Sequence, residues 1–91
     1  MSDYPIEQIR SRFPGLKRQI NGQQAIFFDG PGGSQSPESV GEAVKHYLLH
    51  QNSNVGMSFA TSKETDELIE QTMRACADLL GCADHREIVF G

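Results

Sequence analysis

Ala25-Ile26-Phe27-Phe28-Asp29-Gly30-Pro31-Gly32-Gly33-Ser34-Gln35-Ser36-Pro37 is the stretch that decides how this chain is read. Its first four residues form a short apolar run rich in strand formers. A glycine-rich loop follows, from Asp29 to Gln35. Ser36 then offers an N-cap oxygen, and Pro37 suits a first helical turn, where a missing N–H costs nothing. Strand, glycine-rich loop and helix in this order form a unit of an α/β protein. Immediately upstream, Asn21-Gly22 is a tight-turn dipeptide, since both residues tolerate positive φ.

Working outward, Pro5 starts a short helix whose Ile6, Ile9 and Phe13 share one face before Pro14-Gly15 stops it. Downstream, the spacing of Val40, Ala43, Val44, Tyr47 and Leu48 predicts a helix from Pro37 to Gln51, which Asn52-Ser53-Asn54 breaks. A loop through Gly56 reaches Thr61, which with Glu64 has capping-box spacing. The third helix is expected over Ser62 to Leu80, with Leu68, Ile69, Thr72, Met73, Cys76, Leu79 and Leu80 facing inward. Glu64, Asp66, Glu67 and Glu70 gather in its first two turns, where they complement the helix dipole. Gly81 is a left-handed stop. After Asp84-His85-Arg86, the run Glu87-Ile88-Val89-Phe90-Gly91 reads as a second strand.

That second run is apolar without alternation, as in a parallel sheet covered on both faces by helices. Two strands and three helices cannot cover such a sheet. Gly91 also falls where α/β proteins place the strand-to-helix turn whose free N–H groups bind phosphate. The expectation is therefore an N-terminal piece of a larger α/β protein. A complete small helix-rich interaction module is the alternative.

The chain has 91 residues, 37% of them hydrophobic, enough for one small domain. No apolar window approaches a membrane span. The N-terminus, Met1-Ser2-Asp3-Tyr4-Pro5, carries acid where a signal peptide would be positive, which reads as cytoplasmic. Eight basic residues against twelve acidic ones give a net charge of -4, which argues against nucleic acid as partner. Arg10, Arg12, Lys17 and Arg18 form a local basic stretch without an acid, read as a solvated face. Cys76 and Cys82 have no zinc or redox spacing and are read as free thiols, with Cys76 buried in its helix. His46 and His50 lie four apart, but without a third ligand they read as a solvated helical face, and no metal site is assigned. The glycine loop has neither dinucleotide-fingerprint spacing nor a P-loop lysine. It is either a permissive turn or a place where a ligand approaches backbone. Ser58, Thr61 and Ser62 lack a paired base and read as loop and cap residues.

Taken in order, these segments resemble the start of class V aminotransferases, in particular the cysteine desulfurase-like group of pyridoxal-phosphate enzymes. The likeness is carried by residues 9–17 (Ile-Arg-Ser-Arg-Phe-Pro-Gly-Leu-Lys), by Asn21-Gly22 and by Phe27 through Pro37. The Asn52-Ser53-Asn54 loop, the acidic third helix and the Glu87 to Gly91 run follow in the family's order. The resemblance implies a fragment of the type I pyridoxal-phosphate transferase fold, with residues 1–24 as an arm. Residues 25–91 would begin the large cofactor domain and stop at the phosphate-binding loop. It implies that Gly30, Pro31, Gly32, Gly33 and Ser34 approach an amino-acid substrate, and that Gly91 opens the loop holding the cofactor phosphate. The loop from Asn54 to Ser62 would lie near the dimer interface and the active-site entrance. Desulfurases typically read Asp-Asn-Ala-Ala-Thr where this chain has Asp29 to Ser34, and His and Arg where it has Gly56-Met57. These departures leave the substrate open. Lys17, Lys45 and Lys63 match no Schiff-base position, so no catalytic residue is assigned and the chain alone is expected to be inactive. For the parent protein the resemblance implies pyridoxal phosphate and a homodimer, and the lack of an apolar span leads to the expectation of no membrane partner.

Overall fold

The computed structural model describes residues 3–91; Met1 and Ser2, part of the N-terminal reading, lie outside the described residues. Among the described residues, three α-helices and one two-stranded antiparallel sheet give a mixed α/β chain. They fall into two compact units, Met1–His46 and Tyr47–Gly91.

In the first unit, α1 spans Ile6–Arg10, shorter than the expected helix because the chain turns at Ser11 and enters a 3-10 turn at Pro14–Lys17. Asn21 (φ 52°) and Gly22 (φ 77°) then form a two-residue turn with both centres left-handed. Such a turn matches strand twist and pairs its flanks at once. The sheet is therefore a hairpin, β1 at Gln19–Ile20 and β2 at Gln23–Gln24, with Gln19 opposite Gln24 and Ile20 opposite Gln23. This corrects the expected strand at Ala25 to Phe28, which carries no regular secondary structure. Each strand is only two residues long and exposed, and three of the four paired residues are glutamines beside Ile20, so neither alternation nor hydropathy marked them.

Helix α2 spans Glu38–His50, within one residue of the expected bounds at each end. Its start is tied to the first unit by the Glu38 N–H donating to the Arg12 carbonyl at 2.9 Å. Its apolar stripe is not covered among the described residues: Val40, Val44 and Leu48 are all exposed.

In the second unit, α3 spans Ala60–Leu80. It begins before the expected capping box, with Phe59 at the N-cap and no side-chain cap bond, so Thr61 lies inside the first turn. Gly81 ends it as expected, at φ 72° and ψ 27°, with the Cys82 N–H donating to the Ala77 carbonyl at 2.9 Å. The inward face differs from expectation. The buried residues are Ser62, Thr65 and Ala77, whereas Leu68, Ile69, Leu79 and Leu80 are exposed and Met73 and Cys76 half-buried. The helix packs its small polar residues against its own loop and leaves its large apolar ones bare.

The expected strand at Glu87 to Gly91 is not formed. His85–Glu87 is a 3-10 turn, and Ile88 is extended at φ -90° and ψ 129° without a partner strand among the described residues. A strand is a pairing, and apolar composition alone cannot supply the neighbour. Val89 and Phe90 are accordingly exposed. Both cysteines are free and half-buried, so Cys76 is less enclosed than its helical position suggested.

Replacing Gly81 with alanine forces a Cβ into the left-handed cap and should destabilise α3 by about 1 kcal/mol. Urea unfolding followed by helical circular dichroism would read that loss.

Candidate functional site

The five residues singled out as substrate-facing lie together in the first unit. Residues 30–32 wind into a single 3-10 turn, with the Gly32 N–H donating to the Asp29 carbonyl at 2.7 Å and Gly33 N–H to Gly30 carbonyl at 3.0 Å. Gly33 then leaves at φ 142°. Gly30, Pro31, Gly32, Gly33 and Ser34 are all exposed. A Cβ added at Gly30 or Gly33 would meet nothing within 4 Å, and one at Gly32 would lie 3.5 Å from Asp29 Oδ2. The loop thus presents open backbone at its glycines, with Pro31, Ser34 and the Asp29 carboxylate as its side chains. It can admit a ligand to main-chain groups, but it carries no nucleophile with a paired base. Gly91 belongs to the second unit, exposed and with open space around its Cα.

Sequence reasoning missed a polar site that holds the loop before α3. Ser62 is fully buried, and its Oγ accepts the Met57 N–H at 2.9 Å. Asp66 accepts the Gly56 N–H at 3.0 Å through Oδ1. Thr65, 5% exposed, places its hydroxyl 2.9 Å from the Thr61 carbonyl and 3.3 Å from that of Gln51. The Tyr47 hydroxyl completes the set, 3.2 Å from Thr65 Oγ1 and 3.3 Å from the Ser53 carbonyl. The signal was present as helix-start chemistry: serine, threonine and aspartate bond nearby backbone at helix N-termini. Here they bond it from the first two turns rather than from the cap.

A second polar cluster surrounds an open cleft of about 580 Å³ lined by Arg74, Asp78, Cys82, Asp84, His85 and Arg86, among others. Several of its charged groups are paired. Glu70 Oε1 meets Arg74 Nη2 at 2.8 Å and His85 Nε2 at 2.9 Å. Arg86 Nε lies 3.0 Å from both oxygens of Asp84, whose carboxyl this pairing draws down from 3.8 to about 2. Burial first, then the hydrogen bond and charge of the neighbouring Glu87, push the Cys82 thiol up from its ordinary value. Among the described residues no three metal-binding side chains gather, and no helix is long and apolar enough to cross a membrane.

Comparison with known proteins identifies the family. The family model for class-V aminotransferases matches residues 26–91, from the apolar run before the glycine loop through Gly91. The chain belongs to the class-V aminotransferase family. Among curated class-V relatives, a cysteine desulfurase of Yersinia pestis is 30% identical over 89 residues, covering 97% of this chain and 22% of its own length. A cysteine desulfurase of Yersinia pseudotuberculosis serotype O:1b is 31% identical over 88 residues, covering 96% and 22%. The chain thus spans under a quarter of the length of the class-V relatives it matches.

Two outcomes test the site's energetics. Ser62→Ala leaves the Met57 N–H without its acceptor and should cost about 1 kcal/mol or more, with faster hydrogen exchange at that amide. The depressed Asp84 carboxyl contributes stability that is present above its ordinary value of 3.8 and lost as pH falls toward about 2. Melting of wild type and Asp84→Asn across pH should therefore differ above pH 4 and converge through that acid window.

Proposed function

We propose that these 91 residues serve as the opening segment of a pyridoxal-phosphate enzyme of the type I transferase fold, acting on an amino-acid substrate. In this reading the enzyme is cytoplasmic and homodimeric, residues 1–24 are an arm, and residues 25–91 begin the large cofactor domain. Gly30, Pro31, Gly32, Gly33 and Ser34 form the wall nearest the substrate, and Gly91 opens the loop that receives the cofactor phosphate.

The observation that carries the proposal is the family match over residues 26–91, with desulfurase relatives covering nearly the whole chain at a fraction of their own length. Two structural facts support it. The glycine loop presents backbone without side chains in the way. Large apolar residues on α2, α3 and the two unpaired apolar runs stand bare, as they would where more protein packs on them.

The residues present do not by themselves fit the cofactor. A lysine that condenses with an aldehyde is usually activated by desolvation or a neighbouring cation. Lys17, Lys45 and Lys63 are all exposed. In this reading no catalytic step is assigned to this chain alone. Its part is to shape the substrate side of the site with the glycine loop, and to hold the residue 51–59 loop rigid through Ser62, Thr65 and Asp66. Cysteine desulfuration is the activity named for the relatives. The Gly-Pro-Gly-Gly loop and Gly56-Met57 keep the substrate here at the level of an amino acid.

Mixing the purified chain with pyridoxal phosphate and reducing with borohydride should give no stoichiometric pyridoxyl adduct at one lysine, read by peptide mass. The natural gene product, purified from its source, should weigh several-fold more than 10.1 kDa and carry the cofactor. A site-specific adduct on the short chain, or a 10.1 kDa native protein with a cooperative monomeric melt, would overturn the reading in favour of a self-sufficient module.

A further inference from the structure

The tip of the hairpin sets a side-chain amide next to an uncrowded backbone nitrogen. Asn21 at φ 52° and Gly22 at φ 77° are the two left-handed centres of the turn. Both are exposed, and a Cβ added at Gly22 would meet nothing within 4 Å. Among the described residues no backbone carbonyl accepts the Gly22 N–H. An asparagine side chain and the nitrogen of the next residue can close a five-membered ring. A side chain on that next residue hinders the closure, and a long ladder on either side holds the backbone out of reach. Neither obstacle is present at this tip. Residue 22 is glycine, and each flanking strand is two residues long. So short a two-stranded ladder is marginal by itself and opens locally at little cost.

We propose that Asn21 is a self-modification site, converting to isoaspartate without an enzyme, and that the conversion unfastens the hairpin. The Gly22 nitrogen attacks Asn21 Cγ and its proton passes through water to the departing group. A new C–N bond closes a succinimide as the side-chain nitrogen leaves as ammonia. Water then opens the ring. Opening at Cγ gives aspartate. Opening at the main-chain carbonyl gives isoaspartate, whose backbone runs through Cβ and whose former carbonyl carbon is now a free carboxylate. Water is the only co-reactant, and nothing is oxidised or reduced.

The effect follows from the length of the loop. Register across a hairpin is set by its turn, and isoaspartate adds a methylene to a turn of two residues. The Ile20–Gln23 and Gln19–Gln24 pairs then lose their alignment. Two further contacts depend on that alignment. The Ala25 N–H donates to the Arg18 carbonyl at 2.9 Å, and Gln24 Nε2 donates to the Leu16 carbonyl at 2.9 Å. The segment that leads into the glycine loop is thereby released from the Pro14–Lys17 turn. This inference does not rest on the cofactor reading, and its test is independent of pyridoxal phosphate.

Holding the natural gene product in warm, mildly alkaline buffer should release ammonia and convert Asn21 within the tryptic peptide spanning residues 19–45. An isoaspartate-specific carboxyl methyltransferase should label that peptide. Asn52 and Asn54, followed by serine and valine, are internal controls that should stay intact. Gly22→Ala should slow the conversion about tenfold, and Asn21→Gly, which keeps a left-handed turn, should abolish it. In the isoaspartate form hydrogen exchange at the Ala25 amide should quicken. Asn21→Asp, which adds the charge without the methylene, should leave that amide protected. Three results would overturn the proposal: Asn21 reacting no faster than Asn52 and Asn54, Gly22→Ala reacting as fast as wild type, or Ala25 exchanging alike in the isoaspartate form and in Asn21→Asp.

Discussion

The Thr65 hydroxyl is the contact on which the second unit turns. It lies within hydrogen-bonding distance of its own helix at Thr61, the end of the preceding segment at Gln51 and the Tyr47 phenol. One buried oxygen therefore ties Tyr47 in the last turn of α2, the connecting loop and the start of α3 together within the second unit. Polar contacts carry that task because the described chain buries so little else: Ala77 is its single buried hydrophobic residue. Satisfied polar networks in low-dielectric surroundings fix geometry more sharply than loosely covered apolar surface does. The loop before α3 is thus defined while the apolar stripes beside it remain open.

Helices were the legible part of the fold. The 3.6-residue spacing of Val40, Val44, Tyr47 and Leu48 located α2 almost to the residue, and Gly81 marked the end of α3 through its freedom at positive φ. Strands were not legible, for two different reasons. Gln19–Ile20 and Gln23–Gln24 are paired by the geometry of Asn21-Gly22, which acts on backbone and leaves no hydropathy signal. Residues 25–28 and 87–91 have the composition of strands but not the neighbours. Their character depends on a partner that local sequence does not describe.

The site divides in the same way. The glycine loop read equally as a permissive turn or as a place where a ligand approaches backbone, and the space around Gly30 and Gly33 is open. The hydroxyl and carboxylate network of Ser62, Thr65 and Asp66 was hidden because the same residues read as ordinary first-turn chemistry. Only the fold reveals that they reach back to Met57, Gln51 and Gly56. The family followed from ordered segments rather than from a single diagnostic motif, in keeping with relatives only 30% identical.

The 3-10 turn at Pro14–Lys17 has one more effect. By bending residues 15–17 away, it leaves Phe28 almost fully exposed in a stretch whose main chain is unengaged. Proteases grip their substrates in just such an extended form. Any molecule in which that stretch stays unoccupied offers an aromatic cleavage point, so its survival in the cell would depend on how quickly the stretch is covered.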